Sequence, residues 1–215
     1  MRTDVIVEPV SIRDQVADII RRKIIKNEFV GGSKISEREI SEMLKISTTP
    51  VKEAFRMLES EGILVAVPRK GTFISEFSRE NLKSISIIRS SLEGTAAFFT
   101  ASYATEDEIK IMEDALNDAL LCIENDNKEG LLKNNNTFHI TIRTAARNNY
   151  LLNLLIKLKS IDESVRIVSL ENSKNERLED NNEHFGILEA IKGGQGKKAE
   201  ELMVQHVRRV IDKTI

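Results

Sequence analysis

The chain holds only three histidines, His139, His184 and His206, and all of them fall in its C-terminal half. An imidazole can ligate a metal, shuttle a proton near neutral pH or, once protonated, hold an anion. One histidine alone is an ordinary core or surface residue, so the segments that carry the three decide whether they form a site. In "NNNTFHITIR" Asn135 and His139 stand one helical turn apart on one face, while "NEHFGILEAI" and "LMVQHVRRVI" put the other two on the last two predicted helices. Three imidazoles with an open position also describe hydrolytic zinc sites, so a histidine-ligated metalloenzyme is one reading of them. It lacks a general base: Glu183, beside His184 in sequence, is expected on another face of its helix.

A second constellation is "ISTTPVKEAFRM", residues 46–57. Helical spacing buries Val51, Ala54, Phe55 and Leu58 and leaves Thr49, Lys52 and Arg56 on the opposite stripe. That division suits a recognition helix, which needs one face fixed to its own domain and its N-terminal polar residues free for base edges and phosphates. Thr48 and Thr49 can donate to phosphates or touch a thymine methyl, and the free N–H groups of the helix start favour a phosphate too. An amphipathic helix with a solvated face looks the same in isolation. What distinguishes the two readings is the neighbourhood.

The preceding residues predict a helix over 11–27 with Ile12, Val16, Ile19, Ile20 and Ile24 on one face, a break at "EFVGGSKIS", and a short helix over 36–44 that buries Ile40, Met43 and Leu44. Ser36 and Glu39 fit a capping box. Ser47 is the expected cap of the third helix, 47–61, with Pro50 in its first turn and Gly62 at its end. Strands near 63–67 and 72–75 follow, joined by Pro68, Arg69, Lys70 and Gly71, a turn with two cations at its tip. Three short helices and a basic hairpin make a winged helix-turn-helix. From residue 80 the pattern is almost continuous helix: 80–101, 106–125, 128–147, 150–170, 175–192 and 195–213. The fold class is mainly α, with an N-terminal winged helix-turn-helix domain over 1–77 and an all-α helical bundle over 78–215.

Composition narrows the class. The 215 residues carry a net charge of −2, which argues against a protein that coats nucleic acid without preference and leaves room for a local basic face. The single cysteine, Cys122, can form no internal disulfide and is expected as a buried, reduced thiol. No apolar run is long enough to span a bilayer, and the N-terminus alternates charged and apolar residues, so a cytoplasmic protein without membrane contact is expected.

The stretch "GGSKISEREISEMLKISTTPVKEAFRMLESEGILVAVPRKGTFIS" is similar to the DNA-binding domain of the GntR family of bacterial transcription regulators, and the remainder resembles the all-helical FCD-type effector domain of its FadR-like branch. The resemblance implies a homodimeric regulator, most relatives being repressors, whose affinity for double-stranded operator DNA is controlled by a small organic acid. It places DNA contacts at Arg38, Thr48, Thr49, Lys52 and Gly71, to which the residues themselves add Arg56, Arg69 and Lys70. Thr48 and Lys52 stand where arginine is usual, and neither presents the fork that grips guanine at two points. Metal-binding relatives use an Asp-x-x-x-His pair and one histidine on each of two later helices, which maps onto Asn135, His139, His184 and His206. Asn135 replaces the usual aspartate with a neutral, weaker oxygen, and the set suits a divalent ion such as zinc or nickel. Histidines that bind an organic anion directly are the alternative. Arg89 matches an arginine that faces the effector pocket in the family, its other reading being a surface pair with Glu93. Arg143, on the stripe of Asn135 and His139, is a second effector candidate or an exposed residue.

Overall fold

The computed structural model of the chain describes residues 11–215; the alternating N-terminus, residues 1–10, lies outside them. Two compact units divide the chain, Met1–Asn81 and Leu82–Ile215.

In the first unit, Ser11 caps α1 (Ile12–Ile25) by accepting from the Asp14 amide. Val16, Ile20 and Ile24 are buried as the spacing requires, and Ile12, at the first turn, is exposed. α2 (Glu37–Leu44) opens with the expected capping box between Ser36 and Glu39. Met43 was expected inside and is exposed: this two-turn helix packs through Ile40 and the edge of Leu44. α3 (Thr48–Ser60) buries Val51, Ala54, Phe55 and Leu58. Ser47 stands at its N-cap but makes no capping hydrogen bond. The amide three residues on is the natural partner, and here it belongs to Pro50, which has no N–H. Gly62, with φ +69°, ends the helix, and the Ile63 amide donates back to the Leu58 carbonyl at 2.9 Å.

Strands β2 (Leu64–Val67) and β3 (Gly71–Ile74) form the hairpin, with Val67 opposite Gly71. A third strand, β1 (Lys34–Ile35), joins the far edge of β3 and gives the antiparallel order β1-β3-β2. Two residues are too few to show alternation in a sequence. Arg21 is fully buried within α1 and fastens it to the end of α3: Nε and Nη2 donate to both carboxylate oxygens of Glu61 at 3.1 and 2.6 Å, and Nη1 donates to Asp18 at 3.0 Å.

α4 (Ser78–Tyr103) begins in the first unit, where Asn81 donates to the Gly62 carbonyl at 2.7 Å, and continues through the second. There it is followed by α5 (Glu106–Glu124), α6 (Lys128–Ala145), α7 (Asn149–Lys157), α8 (Lys159–Ser169), α9 (Lys174–Lys192) and α10 (Gly196–Thr214). Thr105, Asn127, Asn148 and Ser173 each cap a helix with a side-chain oxygen. The single helix expected over 150–170 is two, because the backbone leaves helical geometry at Leu158 (φ −96°, ψ 2°) with no proline or glycine to mark it. The break lets α8 bury Ile161, Asp162, Ser164 and Val165.

Ala96, Ala97, Met112, Leu116, Phe138, Ile142, Ile187, Leu188 and Met203 share one core, in which each large aliphatic side chain contributes about 1.5–3 kcal/mol. Gly94 lets α4 approach α10: a Cβ there would lie 2.5 Å from Val204 Cγ2 and 3.1 Å from the Glu200 carbonyl oxygen. The Thr100 hydroxyl ties α4 to α6, 2.7 Å from the Ile142 carbonyl oxygen. Cys122 is a free thiol, half-buried where full burial was expected, because it lies at the edge of a small satellite core of Ala119, Ile123, Leu131 and Leu170. Among the described residues no helix is long and apolar enough to cross a membrane.

Candidate metal centre and DNA-reading face

The three histidines meet. α6 supplies His139, α9 His184 and α10 His206; all are buried, and their ligand nitrogens lie within 4.8 Å of one another. His139 Nε2 and His184 Nε2 are 3.1 Å apart. Two nitrogens bound to one ion at about 2.0–2.1 Å are separated by roughly 3.0–3.4 Å, so these two already have the spacing of co-ligands. Phe138 packs against both rings, with centroids 5.3 Å from His139 and 4.8 Å from His184.

Burial pushes the His139 and His184 imidazoles well below their ordinary pKa; Arg166 adds to the effect at His139, and His206 and Arg166 at His184. Both are therefore neutral near pH 7, the form that binds a metal. Their Nδ1 atoms and Asn135 Oδ1 are buried without a hydrogen-bond partner. An orphaned amide oxygen beside two neutral imidazoles is a donor set that a bound cation would satisfy. The residues present fit a divalent ion.

Glu183 corrects one expectation. Its carboxylate does not point away from the histidines: Oε2 accepts from His206 Nδ1 at 2.7 Å, and both oxygens accept from Arg209 at 2.6 Å. Burial opposes its ionisation, but the His206 and Arg209 hydrogen bonds prevail and hold its pKa at about 2. So acidic a carboxyl is a poor general base and a good orienting partner, since it fixes the His206 ring with Nε2 turned from Nδ1 toward the cage.

Beside the cage lies a buried ionic cluster. Arg89 is not the surface partner of Glu93: both are buried, and Arg89 Nη1 donates to Asp162 at 2.5 Å and to Glu93 at 3.5 Å. Arg143, buried as well, grips Glu93 through Nε at 3.1 Å and through Nη2, which also reaches Asp162 at 2.6 Å. Arg166 Nε donates to Asp162 at 2.8 Å. Burial alone would raise the Asp162 carboxyl, but Arg166, Arg89 and Arg143 outweigh it and hold the group far below the carboxylate range. Three guanidinium groups thus face two carboxylates, and Arg89 Nε is left buried without a partner. The surplus of positive charge favours an anion.

A small cavity of about 30 Å³ joins the two features, with Arg89, Asn135, His139, Asp162, Arg166, Asp180, His184 and His206 in its wall. Arg143 is not in that wall; it holds Glu93 and Asp162 from behind. Asp162, Arg166 and Asp180 were not read from the sequence. Asp162 and Arg166 sit one turn apart in "IDESVRIVS", which looks like a solvated helical pair, and only tertiary packing buries them.

The residues expected from the sequence to contact DNA occupy exposed positions on the first unit. Thr48 and Thr49 open α3, and Lys52 and Arg56 follow along its outer stripe. Arg38 on α2 donates to Glu42 at 2.7 Å, and Lys52 lies 3.9 Å from Glu37. Exposed pairs of this kind are worth about 0–1 kcal/mol and yield readily to a phosphate. At the hairpin tip Arg69 (φ +64°) and Lys70 are exposed, and Gly71 has φ +110°. A Cβ at Gly71 would also sit 2.9 Å from Lys34 Cε, so Lys34 on β1 is a third wing cation that the sequence did not announce.

Comparison with known proteins places both units. Residues 12–74 match the profile of bacterial regulatory proteins of the gntR family, and residues 85–209 match the FCD domain. The chain is 26% identical over 200 residues to the HTH-type transcriptional repressor RspR of Escherichia coli (strain K12), covering 93% of this chain and 87% of that one. It is 30% identical over 190 residues to the HTH-type transcriptional regulator YdhC of Bacillus subtilis (strain 168), covering 87% and 82%. The solved structure of E. coli McbR/YncC superposes with a TM-score of 0.67 at 20% identity, over 96% of this chain and 98% of that one, and shows the same fold.

Proposed function

The chain belongs to the GntR family of bacterial regulatory proteins and carries an FCD domain, and from that membership we propose that it is a homodimer whose operator affinity is set by a small organic acid held through a divalent metal ion. It is a DNA-binding transcription regulator, and its relatives are regulators, so the hydrolytic alternative falls away. Residues 1–77 read DNA through Arg38, Thr48, Thr49, Lys52, Arg56, Arg69, Lys70 and Gly71. Residues 78–215 bind the effector and pair the protomers. Two recognition helices related by a two-fold axis read half-sites of matching symmetry, so the operator is an imperfect palindrome. RspR is named a repressor, and repression relieved by the effector is the working sense here.

The observation that carries this reading is the pairing of a three-imidazole cage, in which burial keeps His139 and His184 neutral and Asn135 Oδ1 is unsatisfied, with an adjoining arginine cluster in which Arg89 Nε has no partner. A divalent ion such as zinc or nickel would be held by His139, His184 and His206 with Asn135 beside them, and would supply a Lewis-acidic position for the acid's carboxylate. Arg89 and Arg166 complement the remaining charge of that anion. Histidines that bind the anion without a metal are the weaker reading, since His139 and His184, kept neutral by burial, offer no positive charge. Control of DNA binding is then a linkage: the acid binds the DNA-competent and DNA-incompetent arrangements with different affinity.

Thermal melts of the parent and Asn135→Asp, each with chelator and with zinc or nickel, test the metal. An ion that binds only the native state raises Tm by mass action. Asn135→Asp gains more from the ion and loses stability without it, because an added carboxylate is then a partly buried charge. If neither protein gains stability from any divalent ion, direct anion binding becomes the better account.

A further inference from the structure

The cage as described so far lacks a negative ligand. Three imidazoles and an amide oxygen would have to take a doubly charged cation next to a cluster that already carries surplus positive charge. One carboxylate in the cavity wall is unassigned. Asp180 lies one turn before His184 on α9, so the two share a helical face, and both line the cavity together with Asn135 and His206. One of its oxygens falls within 4.8 Å of a ring nitrogen of His206, in a cluster completed by Glu183. Asn135 and Asp180 also share the wall of a second, adjoining cavity, so the two side chains border the same space.

The neighbouring acid cannot serve. Glu183 is committed to His206 Nδ1 and, through both oxygens, to Arg209. Asp180 is committed only in part, because Oδ1 accepts from Arg209 Nη2. Among the described residues no hydrogen bond to its other oxygen is found, and the side chain lines the cavity. Arg209 thereby holds the carboxylate in one orientation, as the outer partner of a metal-ligating carboxylate does.

We propose that Asp180 supplies the anionic metal ligand that residue 135 does not, so that an Asp-x-x-x-His pair on α9 replaces the one missing from α6 and the ion is held by Asp180, His139, His184 and His206. Asn135 then serves from the periphery, its amide oxygen accepting from an ion-bound water. A site of three nitrogens and one carboxylate oxygen stays within the donor set that zinc and nickel accept. This assignment rests on the metal reading above and specifies which residue neutralises the ion.

Calorimetric titration of the metal-free full chain with zinc and with nickel separates the two. The parent takes up one ion per protomer. Asp180→Asn weakens that binding by about tenfold or more, and adding Asn135→Asp to it restores the affinity to within a few fold. Asp180→Asn binding as tightly as the parent would reduce Asp180 to a partner of Arg209 and overturn the assignment while leaving the metal reading intact. A parent that binds neither ion removes both. If Asp180→Asn does not fold, Asn135→Asp alone decides: a gain of only a few fold is expected where a carboxylate is already present, and a gain of a hundredfold means that the parent had none.

Discussion

Acidification from pH 7.5 to 5.5 will destabilise the metal-free protein, and the loss can be worked from two residues. His139 and His184 are held well below the ordinary value of 6.5 by burial first and by neighbouring positive charge second. In the unfolded chain both recover that ordinary value. As pH falls below 6.5 the unfolded state takes up protons that the native state refuses, so stability falls with falling pH. Each depressed imidazole contributes about 1.4 kcal/mol per pH unit while pH lies between the unfolded and the native pKa. For two, the loss between pH 7.5 and 5.5 approaches about 2.5 kcal/mol. The lowered carboxyls, Asp162 and Glu183, do not contribute there: their stabilisation is complete above the unfolded carboxylate values of 3.8 and 4.5 and is lost only below them. Urea melts in chelator at pH 7.5, 6.5 and 5.5 measure the slope, and His139→Gln should remove about half of it. Stability that stayed flat across this range, or rose, would show that the imidazoles charge freely in the native state and would refute the buried neutral cage.

Three further outcomes follow from the geometry. Glu93→Gln keeps the shape but leaves Arg89 and Arg143 short of a buried counter-charge, and should cost about 3–5 kcal/mol in a urea melt. Gly94→Ala drives a methyl against Val204 and the Glu200 carbonyl; about 1–3 kcal/mol of overpacking should exceed the gain of about 1 kcal/mol in helix propensity, seen as a lower Tm. Arg38→Ala should weaken operator binding and lower the slope of log affinity against log salt by about one in gel-shift titrations; an unchanged slope places Arg38 outside the interface.

The sequence announced its local structure well wherever a short-range signal existed. Capping at Ser36, the outer stripe of α3 and the glycine stop at Gly62 all depend on contacts within a turn or two, and they stand in the structure as read. What escaped depends on packing between distant segments. Arg21, Glu93 and Asp162 look like surface charges until the elements that enclose them are in place. The break at Leu158 has no residue to signal it, and the direction of Glu183 is set by Arg209 and His206 from the next helix. Ser47 failed as a cap for a local reason that was on view, because the partner amide would have been that of Pro50.

The buried fork of Arg21 on Glu61 has a consequence for aim. Apolar packing is indifferent to direction, so Val51, Phe55 and Leu58 would by themselves tolerate a small roll of α3 about its own axis. A roll of about 20° carries a group about 6 Å from that axis through about 2 Å. A hydrogen bond to a base edge works only over a range of about 0.5 Å, so such a roll would blur which base Lys52 or Arg56 meets. Two parallel N–H donors on one carboxylate resist that rotation because they are directional. They act at the end of α3 opposite Thr48 and Thr49, so the pair serves as an angular stop for the outer stripe without occupying any of the surface proposed to meet DNA.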